Sequence, residues 1–144
     1  MLAKYKTLSY SSGYGGRAVR VFKTKSFARF ARRERISDQS LAEAVSRAER
    51  GLIDADLGGG VIKQRVARPG QGRSGGFRVL IAYRAKTCSV FLFGFAKSER
   101  DNIDDDELAT LRDVGQEFLE ANEAALAEAL AKGVLLEVEY GKED

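Results

Sequence analysis

The sequence predicts a small α+β domain: an antiparallel sheet of about four strands, covered by an N-terminal helical hairpin, with a long acidic helix at the C-terminal end. Three observations carry this expectation. Residues 61–95 hold three apolar, strand-like stretches separated by short polar or glycine-rich connections, which is the pattern of a meander. Residues 26–51 repeat apolar side chains at helical spacing in two short blocks, and residues 104–133 do so in one long acidic block. The chain has 144 residues, 44% of them hydrophobic and 31% charged, enough for one core without disulfide or metal staples.

The elements follow in chain order. Residues 1–16 are rich in serine and glycine (Ser9, Ser11, Ser12, Gly13, Gly15, Gly16) and read as a flexible leader, with the main domain at 17–106 and an acidic helix and tail at 107–144 packed on it. Ala18 to Lys23, with Val19, Val21 and Phe22, suits a first strand. Ser26 is a candidate N-cap for a helix bearing Phe27, Phe30 and Ala31 on one face, its other faces filled by Arg29, Arg32, Arg33 and Arg35. A second helix is expected from Ser37 or Asp38, through Leu41, Ala44, Val45 and Ala48, with Gly51 as its C′ residue. Leu52 to Gly60, ending in three glycines, reads as a loop. Strands are expected at Val61 to Ala67, Phe77 to Arg84 and Cys88 to Phe95; the last has almost no polar residue and is placed centrally. Asp104 and Glu107 have capping-box spacing ahead of Leu108, Leu111, Phe118, Leu126 and Leu130, and Gly133 closes that helix. Residues 134–140 alternate well enough for a short final strand, whose pairing is not readable.

Charge is distributed unevenly. Residues 1–100 hold 21 Lys and Arg against 7 Asp and Glu, and residues 101–144 hold 3 against 14. A basic body of this kind points to a polyanionic partner, against the plainer reading of solvated helix faces. No apolar run is long enough to span a bilayer and no secretory signal is expected, so a cytoplasmic protein is anticipated. The single Cys88 reads as a buried, inert thiol. With no histidine in the chain, the usual general base and the usual metal ligand are both missing.

The candidate chemistry lies between Val61 and Arg100. Lys63 and Arg65 are two residues apart in one strand and so share a face. Arg68 follows that strand, Arg73 lies in the glycine-rich tip, Arg78 opens the next strand, and Lys97 and Arg100 follow the third. Antiparallel pairing lets Arg78 face the Lys63/Arg65 strand, and the end of the third strand is expected to return near Val61, bringing Lys97 to the group. Like charges repel on a shared face, so their convergence calls for an anion, most commonly a phosphodiester backbone. Otherwise each cation snorkels or pairs with an acid, of which Glu99, Asp54 and Asp56 are the nearest in sequence. The tip 69–76 is not a Walker loop: Ala67 stands where its first glycine belongs, Arg73 stands where its lysine belongs, and a strand follows instead of a helix.

Three segments occur in order: Lys63-Gln64-Arg65-Val66-Ala67, Gly70-Gln71-Gly72-Arg73-Ser74-Gly75-Gly76-Phe77-Arg78 and Phe95-Ala96-Lys97-Ser98-Glu99-Arg100. Together with the order of elements, they give a chain that resembles the RelE/HigB toxins of bacterial type II toxin–antitoxin modules, over Val19 to Asp106. The resemblance implies a RelE-like fold and an endoribonuclease that cuts mRNA at the ribosome. It also implies neutralisation by a cognate antitoxin, often of helix-turn-helix type, and contact with operator DNA only through that antitoxin. By the same resemblance Lys63, Arg65, Arg78 and Lys97 are the catalytic set and Arg68, Arg73 and Arg100 bind RNA. Ser98 stands where RelE itself has a catalytic arginine, and Asp104 falls near the position of its C-terminal tyrosine.

The implied reaction is attack of a ribose 2′-hydroxyl on the adjacent phosphate. Lys63, its protonated form disfavoured by neighbouring cations, would serve as base, and Arg65 and Arg78 would stabilise the phosphorane charge, with no metal or cofactor required. Two other readings stay open: a ParE-like inhibitor of DNA gyrase on the same superfold, and a nucleic-acid-binding protein that does not cut.

Overall fold

Thr24 ends a strand and begins a helix within one residue. Its backbone is extended (φ −73°, ψ 163°) and its hydroxyl accepts the Phe27 amide at 3.1 Å, so Thr24, two residues before the expected Ser26, is the N-cap. In the computed structural model, which describes residues 19–68, 70 and 75–139, strand β1 (Arg20–Thr24) runs straight into helix α1 (Lys25–Glu34). Arg35, in the left-handed region at φ 61°, stops α1. Ser37 then caps α2 (Asp38–Glu49) by accepting the Ser40 amide at 3.1 Å, and Gly51 takes the C′ position at φ 85°. Both expected helices are present, the first beginning ahead of the expected cap.

The sheet is larger than expected. It has six strands in the order β2-β3-β4-β5-β1-β6, with β2 at Ala55–Gly58, β3 at Val61–Val66, β4 at Phe77–Arg84, β5 at Cys88–Ala96 and β6 at Leu135–Glu137. The stretch expected to be a loop over 52–60 contains β2, which turns back on β3 through Gly58, Gly59 and Gly60, all at positive φ. The closing segment pairs as β6 with β1, Lys23 opposite Leu136. Nor is the sheet purely antiparallel. The hairpin carries the chain across one face before β3 begins, so β1 re-enters parallel to β5, Arg20 opposite Cys88 and Lys23 opposite Phe91.

The acidic helix is two helices, α3 (Asp105–Glu120) and α4 (Glu123–Ala131). Asn122 separates them: its Oδ1 accepts the Ala125 amide at 2.8 Å, so an amide side chain caps a new helix where a continuous one was expected. The capping box read at Asp104 and Glu107 is present in both directions, and Gly133 ends α4 at φ 77°.

Strand alternation sorts the core into two layers. On one face Ile62, Val66, Phe77, Val79, Ile81 and Phe91 pack beneath α1 and α2; on the other Val61, Leu80, Ala82, Val90 and Leu92 pack beneath α3 and α4. Phe27, Phe77 and Phe91 are fully buried, each contributing roughly 2–3 kcal/mol of apolar burial. No described helix is long and apolar enough to cross a membrane. The leader and Arg73 lie outside the described residues.

Candidate active site

The β3–β4 register places Arg65 directly opposite Arg78, and Lys63 opposite Leu80. Because odd-numbered residues of β3 and even-numbered residues of β4 point to the α3 face, Lys63, Arg65 and Arg78 share it, as their spacing predicts. A bulge at Leu92 in β5 completes the arrangement. The register slips so that Leu80 faces Phe93 and Ile81 faces Phe91, leaving Leu92 extra. The slip turns Phe93 and Phe95 onto the same face as the cations. The face thus reads as two rows, Arg65–Arg78–Phe95 and Lys63–Leu80–Phe93. The next row, Val61–Ala82–Val90, is covered by α3. Gly115 allows that close seat, since a Cβ there would lie 3.0 Å from Ala82 and 3.3 Å from Leu92.

Each site residue has a distinct anchor. Lys63 Nζ donates to Asn102 Oδ1 at 3.2 Å, and the same oxygen accepts the Ile103 amide at 2.9 Å. Asp54 grips Arg65 twice, accepting its backbone N–H at 2.7 Å and its Nη2 at 3.1 Å. Asp54 is itself fixed: its amide donates to the Oε1 of fully buried Gln64 at 2.7 Å, while Gln64 Nε2 donates to the Ala44 and Leu52 carbonyls. Buried Arg47 donates to the Arg65 carbonyl, pairs with Glu43 at 3.0 Å and lies 3.5 Å from Asp54. Burial pushes the Asp54 carboxyl up, but the Arg65 backbone and side-chain bonds, with the charges of Arg65 and Arg47, outweigh it and hold the carboxyl below its ordinary range. Arg78 moves the other way from a usual arginine. Burial first, and then the charge of Arg65, lower its pKa, with Asp54 opposing.

Arg100 folds back over the aromatic pair, its guanidinium 5.8 Å from the Phe93 ring and 5.5 Å from the Phe95 ring, and donates to Glu107 at 2.6 Å. That hydrogen bond is the main reason the pKa of Arg100 is raised and that of Glu107 lowered. Because Glu107 also closes the α3 capping box, the exit turn and the helix start are one unit.

Two sequence expectations are corrected. β5 runs antiparallel to β4 and therefore ends beside Phe77, not Val61; Lys97 is exposed there, its amide donating to the Gly76 carbonyl at 3.1 Å. Arg68 turns to the opposite face, where it lies over the Phe77 ring at 4.8 Å, so it is not gathered with Lys63, Arg65 and Arg78. Asn102, Arg47, Gln64 and Glu107 went unread as parts of the site. Asp54 was visible only as a nearby acid, and its placement depends on a β2 turn whose pairing no local pattern announces. Among the described residues there is no cluster of three or more Cys, Asp or Glu side chains able to hold a metal ion.

No curated protein and no solved structure was found to match the chain. The family model described as the RelE toxin of the RelE/RelB toxin–antitoxin system matches residues 19–138, which span every strand and helix above, including the row of Arg65 and Arg78. Toxins of this kind are generally mRNA-cleaving endoribonucleases with a cognate antitoxin, and the chain belongs to the RelE toxin family.

Proposed function

We propose that this toxin is an mRNA endoribonuclease that works at the ribosome without a metal, through attack of a ribose 2′-hydroxyl on the neighbouring phosphate. The observation that carries this reading is the facing pair Arg65 and Arg78 with Lys63 on the same sheet face, at the edge of the area covered by α3. Two guanidiniums opposed across a ladder repel, and Asp54 only partly offsets them, so a further anion bound there would be stabilised. A phosphate bound there would gain negative charge at the phosphorane stage, so the arginines hold the transition state more tightly than the substrate. Lys63, held by the neutral acceptor Asn102, would take the 2′-proton as the 2′-oxygen bonds to phosphorus. The P–O5′ bond then breaks and the departing 5′-oxygen takes a proton from solvent, giving a 2′,3′-cyclic phosphate and a 5′-hydroxyl. Lys97 and Arg73 would bind flanking backbone. Arg100, already paired with Glu107 and stacked on Phe93 and Phe95, suits a supporting role for the aromatic floor better than a mobile phosphate contact.

The test is direct. Purified protein incubated with ribosomes and mRNA should give discrete cuts ending in cyclic phosphate, in EDTA as well as in its absence, and Arg78→Ala should lose them. Equal cutting by both proteins would falsify the assignment. Inhibition of gyrase supercoiling without cuts would identify the ParE-like activity instead, and RNA retention without cuts a binding protein.

A further inference from the structure

Most cations of the described chain are already engaged. Arg20 pairs with Glu137 and Glu123, Lys23 with Asp38, Arg65 with Asp54, Arg100 with Glu107 and Lys132 with Glu128. Lys25, Arg29 and Arg32 are different. They are exposed, spaced four and three residues apart so that they form one stripe along α1, and their side chains make no hydrogen bond or ion pair with any described residue. Asp38 and Glu137 are themselves engaged, the first by Lys23 and the second by Arg20.

A second observation lies against the first. Four large hydrophobic residues are exposed in the described chain, and two of them, Val134 and Leu136, flank and occupy β6, with 46% and 38% of their surface in solvent. Leu136 lines a cleft of about 290 Å³ with Lys25, Arg29 and Arg32, and Val134 lines an adjoining cleft of about 410 Å³ with Lys25, Leu111, Val114 and Phe118. A third observation is that β6 is the last strand of the sheet, and no described strand pairs with its outer edge. The basic stripe, the apolar pair and the open edge are one continuous surface. It involves none of the residues of the candidate site, which lies on β3 and β4, with β5 and β1 between them and β6.

We propose that this α1–β6 surface docks the cognate antitoxin, through a segment with carboxylates opposite Lys25, Arg29 and Arg32 and apolar side chains opposite Val134 and Leu136. Charge and apolar area decide the occupant together. Nucleic acid would use the cations but gains nothing from the exposed valine and leucine. The chain's own residues 1–18 carry Lys4, Lys6 and Arg17 with no acid, so they would be repelled by the stripe. An acidic, apolar-bearing polypeptide uses every feature.

The partner for the experiment is the protein encoded by the reading frame beside this chain's own. It would be co-expressed with the chain and also purified for titration against the Arg78→Ala background. Leu136→Glu, and separately Arg29→Glu with Arg32→Glu, should each weaken the complex by about thirtyfold or more, since both place carboxylates against carboxylates. In the unmutated complex, amide exchange should slow at residues 25–32 and 134–138. Because these side chains are exposed, the variants should melt with the parent. Affinities within about threefold of the parent for both variants, protection confined to other segments, or no complex at all would overturn the proposal. So would loss of RNA retention without loss of partner affinity, which would make the surface a nucleic-acid site. Faster exchange of residues 25–32 and 134–138 in the free chain after removing residues 1–18 or 140–144 would overturn it too, by showing that the chain covers itself. None of these readouts depends on mRNA cleavage, so failure here leaves the proposed activity standing, and the reverse.

Discussion

The two faces of one sheet are built from the same strands and do opposite things. Beneath α1 and α2 the face is apolar along the whole of β4, with Phe77, Val79 and Ile81 all fully buried. Beneath α3 the face begins the same way, at Val61, Ala82 and Leu92, and then becomes cationic at Lys63, Arg65 and Arg78. Alternation makes this possible: Phe77 and Arg78 are neighbours in sequence, yet one serves a sealed layer and the other an open one. A strand can therefore be stiffened from behind by packing while its front carries charges that would not fold unaided. Pre-organisation of the candidate site is a property of the hairpin face as much as of its own residues.

That contrast is broken most strongly by two adjacent substitutions. Phe77→Ala should cost about 3–5 kcal/mol, the usual range for a large-to-small change in a filled core, read as a lowered urea midpoint. Arg78→Ala should leave stability within about 1 kcal/mol, because it relieves a facing like charge, while cutting activity by a factor of about 10²–10³. If Arg78→Ala instead unfolds the protein, the open face is structural and the division between the faces fails.

A smaller effect tests how closely the hairpin is pressed to the sheet. At Gly94 a Cβ would stand 2.4 Å from the Phe30 ring, so α1 rests directly on the β5 backbone just past the bulge. Gly94→Ala should cost about 1–3 kcal/mol through displacement of Phe30, measured by thermal melting. An unchanged melting temperature would mean that α1 is held by its other contacts alone, chiefly Phe27 on Phe91 with ring centroids 5.3 Å apart.

Local pattern was enough to read the presence of α1 and α2, β3, β4, β5 and the α3 capping box, because caps, glycines and period-two runs act over a few residues. It was enough too for the shared face of Lys63, Arg65 and Arg78. What it could not supply depends on partners far along the chain. β2 is four residues of Ala-Asp-Leu-Gly whose strand character comes only from pairing with β3. β6 waits on β1, more than 100 residues earlier. The Leu92 bulge, invisible in a run of apolar residues, decides that Phe95 rather than Gly94 faces Arg78. The same long-range placement turns α3 onto the cation-bearing face of the sheet, where its Leu119 is part of the core.

Asp54 is where the two faces meet, and it yields the finest test. Through Gln64 it is tied to the hairpin layer, and through Arg65 to the open one. Asp54→Asn keeps an acceptor for the Arg65 amide but removes the charge that offsets Arg65 against Arg78. At neutral pH it should lose about 1–2 kcal/mol of stability and about tenfold in cleavage. The pH dependence has a definite sign. The folded carboxyl titrates below its ordinary value of 3.8, so its contribution is present in full above that value and is lost as pH falls through the folded pKa. Unfolding curves of parent and variant should therefore stay separated from neutral pH down to about pH 4 and converge below it. A gap that stays constant into acid would mean that the aspartate acts by its shape and hydrogen bonds, and that its charge is not what holds the arginine pair together.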